Sequence, residues 1–218
     1  MSEYQNIYQD LPGRVHRIWN SRESNSPPES GEDLSVTAML MAAAAGFAMP
    51  FENLKDLGAG NKRGWDDHPA FLGKDQAQYK KSLAACNEFL SQPIDDCIGL
   101  KDCFLMQCQK LRDIKNAAMA GNGHATLNTR MHNTRFALKI LRNALAHNNI
   151  LDVPDHVGQI EKLAFFSMAN SCSSCGRMDG WHVLVISVEA FKQFLSAWFD
   201  LLKEPGSFAG AAEAVASS

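Results

Sequence analysis

Apolar and polar residues alternate over most of the chain with the spacing of helices. Asp33 can cap a helix, and the Ala- and Met-rich run that follows it as far as Pro50 predicts a buried helix. Two further segments, at about 71–91 and 98–120, repeat apolar and charged residues at helical spacing. A central helix is predicted at about 126–146, because two asparagines and then a proline follow it. We therefore predict that helices form the core of the fold.

The part of the chain beyond residue 154 adds a strand signal to this pattern. A turn of helix is predicted at 155–163, followed by two β-prone runs, KLAFFSMA and WHVLVIS, around a Ser-, Cys- and Gly-rich segment. These runs predict a small β-hairpin. Ser187 can cap a last amphipathic helix. The predicted fold class is all-α, a bundle of about five helices with a small β-hairpin before the last helix.

Segments without apolar anchors indicate where the compact part begins and ends. Residues 20–33 combine Ser, Pro, Glu and Gly, a composition typical of a flexible loop. The segment from Pro205 onwards is rich in Gly and Ala and is expected to fray. We therefore divide the chain into an N-terminal segment with a flexible loop at 1–33, a helical domain at 34–204 and a flexible tail at 205–218.

Composition and charge limit the classes of protein that fit. With 218 residues, of which 45% are hydrophobic and 21% charged, the chain is expected to bury a core as a soluble domain. A net charge of −3 argues against a broad basic surface, so any contact with a polyanion must be local. The longest apolar run, at about 36–51, is shorter than the roughly 20 residues of a membrane span, so no membrane role is expected. Because the first residues are polar and acidic rather than signal-like, we expect a cytoplasmic protein with reduced cysteines.

The predicted central helix separates apolar from polar residues. At about 100° per residue, one side is an apolar stripe that must face the core. Another side is a polar ridge with one residue every turn, and Arg142 lies beside it. The stripe consists of Ala137, Leu141, Ala144 and Leu145, and the ridge of Arg135, Lys139, Asn143 and His147. A chain with a negative balance thus gathers cations on one helix.

The end of this ridge has the residue types that a phosphate-handling site needs. Arg142 can grip a phosphate through two parallel hydrogen bonds, and His147 can exchange a proton near neutral pH. Asn143, one turn before His147, can donate or accept a hydrogen bond with the imidazole or with a substrate. The alternative is that Arg142 and His147 are solvated cations stabilised by the C-terminal end of a helix dipole. Spacing alone does not decide between the two.

The stretch LRNALAHNN resembles the signature motif of the HEPN superfamily, in which an arginine, a polar residue and a histidine close the third helix of a bundle. Arg142, Asn143 and His147 occupy these positions. The surrounding pattern, with GFAMPFENL early and WHVLVIS followed by FLSAWFDLL late, also resembles plasmid- or defence-associated prokaryotic members, in outline over 34–204. The resemblance implies a homodimeric endoribonuclease of a toxin or defence system, with RNA as substrate, a cognate antitoxin as partner, and neither metal nor cofactor.

The resemblance also implies a role for each residue of the motif. His147 would move the proton of the ribose 2′-hydroxyl or of the leaving oxygen, Arg142 would stabilise the crowded phosphate, and Asn143 would orient one of them. From their positions on the helix rather than from the resemblance, Arg135, Lys139 and His132 are candidates for substrate binding. Two readings without catalysis stay open: a dimer that binds RNA or a nucleotide, and a motif that only orders the dimer interface.

Three other features have weaker functional alternatives. Cys172 and Cys175 form one CxxC, which supplies half of a tetrahedral zinc site, a redox pair, or a turn with buried thiols. The segment Asn61–Trp65 places two cations before an aromatic ring and could stack a nucleobase. His124 and His132 lie near the start of the central helix, where either could reach a substrate, although both are expected to be simply exposed.

Overall fold

The computed structural model describes residues 15–16, 35–48, 76–101, 103–123, 125–169 and 180–203. They belong to two compact units, one made of 1–91 with 195–218 and the other of 92–194. The predicted boundaries at 33–34 and 204–205 lie outside the described residues. Among the described helices, none is long and apolar enough to cross a membrane.

The first unit contains α1 (Ser35–Ala43), which continues as a π-helical turn (Ala44–Ala48), and α2 (Gln76–Ser91). The indole of Trp198 donates a hydrogen bond to the carbonyl oxygen of Gly46 at 3.0 Å, and its ring meets the edge of Phe47 at 5.1 Å. Because this indole is fully buried, the hydrogen bond satisfies a donor that would otherwise destabilise the core.

The second unit holds a sheet and the helices that cover it. Its elements in chain order are β1 (Phe104–Cys108), α3 (Ile114–Ala120), β2 (Ala125–Thr126), α4 (Thr134–His147), β3 (Ile150–Pro154), β4 (Ile160–Met168), β5 (Trp181–Ser187) and the first part of α5 (Val188–Lys203). Short 3₁₀ turns lie at Ile94–Asp96, Leu111–Asp113 and Thr129–Met131.

The five strands form one antiparallel sheet in the order β2-β1-β5-β4-β3. Since successive side chains of a strand point to opposite faces, the register divides the sheet into two apolar surfaces. The face with Met106, Phe166 and Val183 packs against α3. The opposite face includes Phe165 and Leu184, and α4 packs on strands β4 and β5.

The prediction of an all-α fold is wrong, because the second unit is built on this five-stranded sheet. Strand β1 occupies part of the predicted helix at 98–120, and β4 begins within the predicted helical turn at 155–163. The central helix, predicted at about 126–146, begins only at Thr134, because β2 and a 3₁₀ turn take the place of its first part. A short apolar run such as FLMQC is compatible with either a buried strand or a piece of helix. Here it forms a strand because it pairs with β5. The predicted hairpin between β4 and β5 is confirmed, as is the Ser187 cap, whose hydroxyl accepts a hydrogen bond from Ala190 N at 3.1 Å.

Gly99 allows the loop before β1 to approach α5 closely. Its φ is +76°, in the left-handed region that favours glycine, and a Cβ there would overlap the backbone of Phe194 and Ala190. The absence of a side chain therefore allows backbone to pack against backbone at this point.

Candidate functional site

Helix α4 is fixed at both ends by local hydrogen bonds. At its start, the Asn133 side chain accepts a hydrogen bond from Phe136 N at 3.1 Å, which caps the first turn. At its end, Asn148 takes the left-handed conformation with φ 54°, and Asn149 N donates to Ala144 O at 2.8 Å. Because Asn149 O then accepts from Phe166 N at 3.1 Å, the chain passes directly from His147 into the sheet.

The two sides of α4 differ as the sequence predicts. Ala137, Leu141 and Ala144 of the predicted stripe are buried, whereas Leu145 is half-buried. Thr134, Leu138 and Ile140 are buried as well. Since Arg142 and Asn143 are half-buried while Lys139 and His147 are exposed, the polar ridge is open to a substrate.

Arg142 and Asn143 are in direct contact within the candidate site. The Arg142 guanidinium donates a hydrogen bond from Nη1 to the Asn143 side-chain oxygen at 2.7 Å. Asn143 lies one turn before His147, so this contact draws the guanidinium towards the side of the helix that carries the imidazole. It also leaves the amide nitrogen of Asn143 as the group that can donate to a substrate or to the imidazole. The sequence left the partner of Asn143 open, and the structure shows that the partner is Arg142.

Positions along α4 determine which predicted residues lie close together. At about 1.5 Å per residue, Arg142 is about 7 Å along the axis from His147, and Lys139 is about 5 Å beyond Arg142 in the direction away from His147. Arg135 is about 18 Å from His147 on the same measure. His132 precedes the helix, at the end opposite to His147. The structure therefore groups Lys139 with the Arg-Asn-His motif and separates His132 from it.

His132 instead belongs to an aromatic cluster at the start of α4. Its ring stacks on Phe136 with centroids 4.3 Å apart and planes at 19°, and Phe136 meets His182 of β5 at 5.1 Å. Sequence reasoning gave Phe136 no role, since its neighbour His182 is distant in the chain. The available signal was an aromatic residue on the polar side of α4, in line with Asn143 and His147.

Metal ligands are not clustered within the described part of the chain, where no group of three or more His, Cys, Asp or Glu side chains could hold an ion. Cys172, Cys175, His124 and the segment Asn61–Trp65 lie outside the described residues. Cys97 is a buried free thiol. Burial raises the pKa of this thiol to about 12, although hydrogen bonds with Thr134 and Gln92 act in the opposite direction. A thiol in this state is neither a nucleophile nor a metal ligand near neutral pH.

The candidate site thus consists of a helix that is capped at both ends, packs one face on an antiparallel sheet, carries cations on the other and ends in an Arg-Asn-x₃-His motif. The family model described as HEPN pEK499 p136 matches residues 1–207, and the chain belongs to this family. The comparisons with curated proteins and with solved structures give no match. Membership confirms the predicted HEPN resemblance and indicates a nuclease or nucleotide-binding function.

Proposed function

We propose that the protein is a metal-independent endoribonuclease that cleaves RNA at a site built from Arg142, Asn143 and His147. The observation that carries the proposal is the 2.7 Å hydrogen bond between Arg142 and Asn143, one turn before an exposed imidazole on a helix with fixed ends. HEPN domains are often ribonucleases, which supports catalysis over simple binding. As in a toxin or defence effector, the substrate would be cytoplasmic RNA, and a cognate antitoxin would restrain the enzyme.

The chemistry follows from the residue types at the site. The ribose 2′-oxygen attacks the adjacent phosphorus, so that a 2′-O–P bond forms while the bond to the 5′-oxygen breaks. A neutral imidazole accepts the 2′-hydroxyl proton, and an imidazolium donates a proton to the leaving 5′-oxygen. The Arg142 guanidinium stabilises the charge on the phosphate oxygens, and Asn143 holds it in that orientation. The products are a 2′,3′-cyclic phosphate and a 5′-hydroxyl, and DNA is bound without being cut because it lacks the nucleophile.

The need for two proton transfers favours a homodimer as the active form. One imidazole does not serve as base and acid at the same moment, so a second His147 from another copy of the chain supplies the missing partner. HEPN domains commonly dimerise and bind RNA, which supports this arrangement. The site of one chain would then be incomplete until its partner joins it.

A denaturing gel of an RNA pool incubated in EDTA tests the proposal. The wild-type protein should degrade the RNA, whereas Arg142→Ala and His147→Ala should leave it intact with nearly unchanged melting temperatures. His156→Ala, which removes another exposed imidazole, is the matched control and should cut like the wild type. Cleavage that EDTA abolishes, or that either motif variant retains, contradicts the mechanism.

A second function, RNA binding without cleavage, is favoured by one observation. Lys139 lies one turn from Arg142 and from Arg135 on the same side of α4, so three cations follow the helix axis. Such a line can hold a phosphate backbone without any reaction. Intact RNA after long incubation, together with saturable binding that weakens in Lys139→Ala, would select this function over the first.

A further inference from the structure

The aromatic cluster at the start of α4 consists of His132, Phe136 and His182. His132 lies parallel to Phe136 at 4.3 Å, and Phe136 makes an edge contact with His182 at 5.1 Å and 64°. All three side chains are half-buried, so part of each remains accessible to solvent. The cluster therefore keeps part of its aromatic surface accessible to solvent rather than enclosed in the core.

The backbone under this cluster is held on several sides. His132 O accepts a hydrogen bond from Ile94 N at 3.2 Å, and its N donates to Thr129 O at 3.2 Å. Thr134, two residues on, is fully buried and donates from both its N and its hydroxyl to Gln92 O. On the sheet side, His182 is the second residue of β5, where it pairs with Gln107 of β1 and Ser167 of β4. A flat surface held in this way loses little conformational freedom when a second ring stacks on it.

Within α4, Phe136 lies on the same side of the helix as Asn143 and His147 of the motif. Phe136 precedes Asn143 by seven residues and His147 by eleven, so the three side chains leave the axis within about 20° of one direction. The distances along the axis are about 10 Å to Asn143 and about 16 Å to His147. Lys139 lies between Phe136 and Asn143, where a backbone phosphate between the two points would pass.

We infer that His132 and Phe136 form a base-stacking subsite for single-stranded RNA, with His182 behind them. The part of this inference that concerns where the RNA is cut rests on the proposed function, whereas the part that concerns binding does not. Successive bases stack on aromatic side chains irrespective of sequence, whereas a base inside a duplex offers no free face. At about 3.4 Å per stacked nucleotide, the distance to His147 corresponds to about five nucleotides. The subsite therefore selects unpaired RNA and fixes where it is cut relative to the stacked base.

The test uses a single-stranded oligonucleotide with 2′-O-methyl groups throughout, which no 2′-hydroxyl attack can cleave. A series of such oligonucleotides carries one abasic site at each position in turn, and fluorescence anisotropy gives the dissociation constants. Wild-type binding should weaken at least about fivefold when the stacked base is missing, the lower end of the effect of base–aromatic stacking. His132→Leu should bind the intact strand at least about fivefold more weakly than the wild type does, and an abasic site should not weaken its binding further.

Two control variants keep this test specific. His132→Tyr retains a flat ring and should bind as the wild type does, and His156→Leu removes an exposed imidazole elsewhere in the second unit and should change nothing. Circular dichroism of His132→Leu should give a native melting curve, since only its side chain changes. Equal binding by wild type and His132→Leu, or indifference of the wild type to every abasic site, overturns the subsite. A protein that binds as predicted but cuts no RNA contradicts only the proposed cleavage.

Discussion

At the scale of single residues, the orientation of Arg142 is the feature on which the proposed reaction depends. A half-buried guanidinium with a hydrogen bond of 2.7 Å to its neighbour is restricted before substrate arrives. Such restriction contributes to catalysis because a charge that is already in place needs no reorganisation during the reaction. In the proposed reaction, Asn143 would therefore position Arg142, and its amide nitrogen could donate a hydrogen bond to the substrate.

Replacing Asn143 with Ala should lower kcat/KM for RNA cleavage by about tenfold to hundredfold, because a misplaced catalytic group has a cost of this order. The loss should fall mainly on kcat, since the charge that attracts the phosphate is retained. Asn116→Ala, on the exposed side of α3, is a matched control and should cleave normally. Wild-type kinetics in Asn143→Ala would show that the contact with Arg142 has no part in the reaction.

Cys97 provides a pH-dependent prediction at the same scale. Its pKa is raised from 9.0 to about 12 because burial disfavours the thiolate. The native state therefore keeps its proton where the unfolded chain releases it, so the stabilising contribution is complete below about pH 9 and is lost as the pH rises towards about 12. In urea titrations, the decrease in unfolding free energy above pH 9 should be smaller in Cys97→Ala than in the wild type. Equal decreases would mean that another group is responsible.

At the scale of elements, two residues with positive φ determine how segments of the second unit meet: Asn148 at the end of α4 and Gly99 in the loop before β1. Asn148 ends α4 in the left-handed conformation and returns the chain to the sheet immediately after His147. Gly99 brings its loop against the backbone of α5. Both effects depend on residues that accept positive φ more readily than most do.

Replacing Gly99 with Ala should destabilise the fold by roughly 2 to 5 kcal/mol, because left-handed strain adds to overlap with the α5 backbone. Gly121→Ala is the matched control, since it also has a positive φ, +66°, but its Cβ would meet nothing within 4 Å. That variant should lose only about 1 to 2 kcal/mol. Chemical denaturation measures both values, and equal losses would contradict the close approach at Gly99.

At the scale of the whole molecule, the sequence predicts the family and its motif, whereas its prediction of an all-α fold is wrong. Helix α4 has a strong helical period and an asparagine at each end, so its existence and its apolar stripe follow from local residues. Strands β1 and β3 are short apolar runs whose state depends on pairing with β5 and β4, which no local pattern reveals. The motif was visible as Arg142, Asn143 and His147. His132 was predicted as a substrate-binding residue, but its contact with Phe136 and the contact of Phe136 with His182 were not, because His182 comes from a distant strand.

The proposed dimer is also a property of the whole molecule. Cleavage per chain should fall when the protein is diluted below the concentration at which it dimerises, because one chain provides only one His147. Arg142→Ala should remain a dimer in size-exclusion chromatography with light scattering while losing activity. If this variant is monomeric, the motif orders the interface instead of acting on RNA.

Mass spectrometry of the fragment ends tests the proposed mechanism most directly. A single-stranded RNA cut by the wild-type protein in EDTA should give 2′,3′-cyclic phosphates and 5′-hydroxyls, and His147→Ala should give neither. Fragments that carry 3′-hydroxyls and 5′-phosphates would show that water rather than the ribose attacks the phosphorus, and would contradict the account.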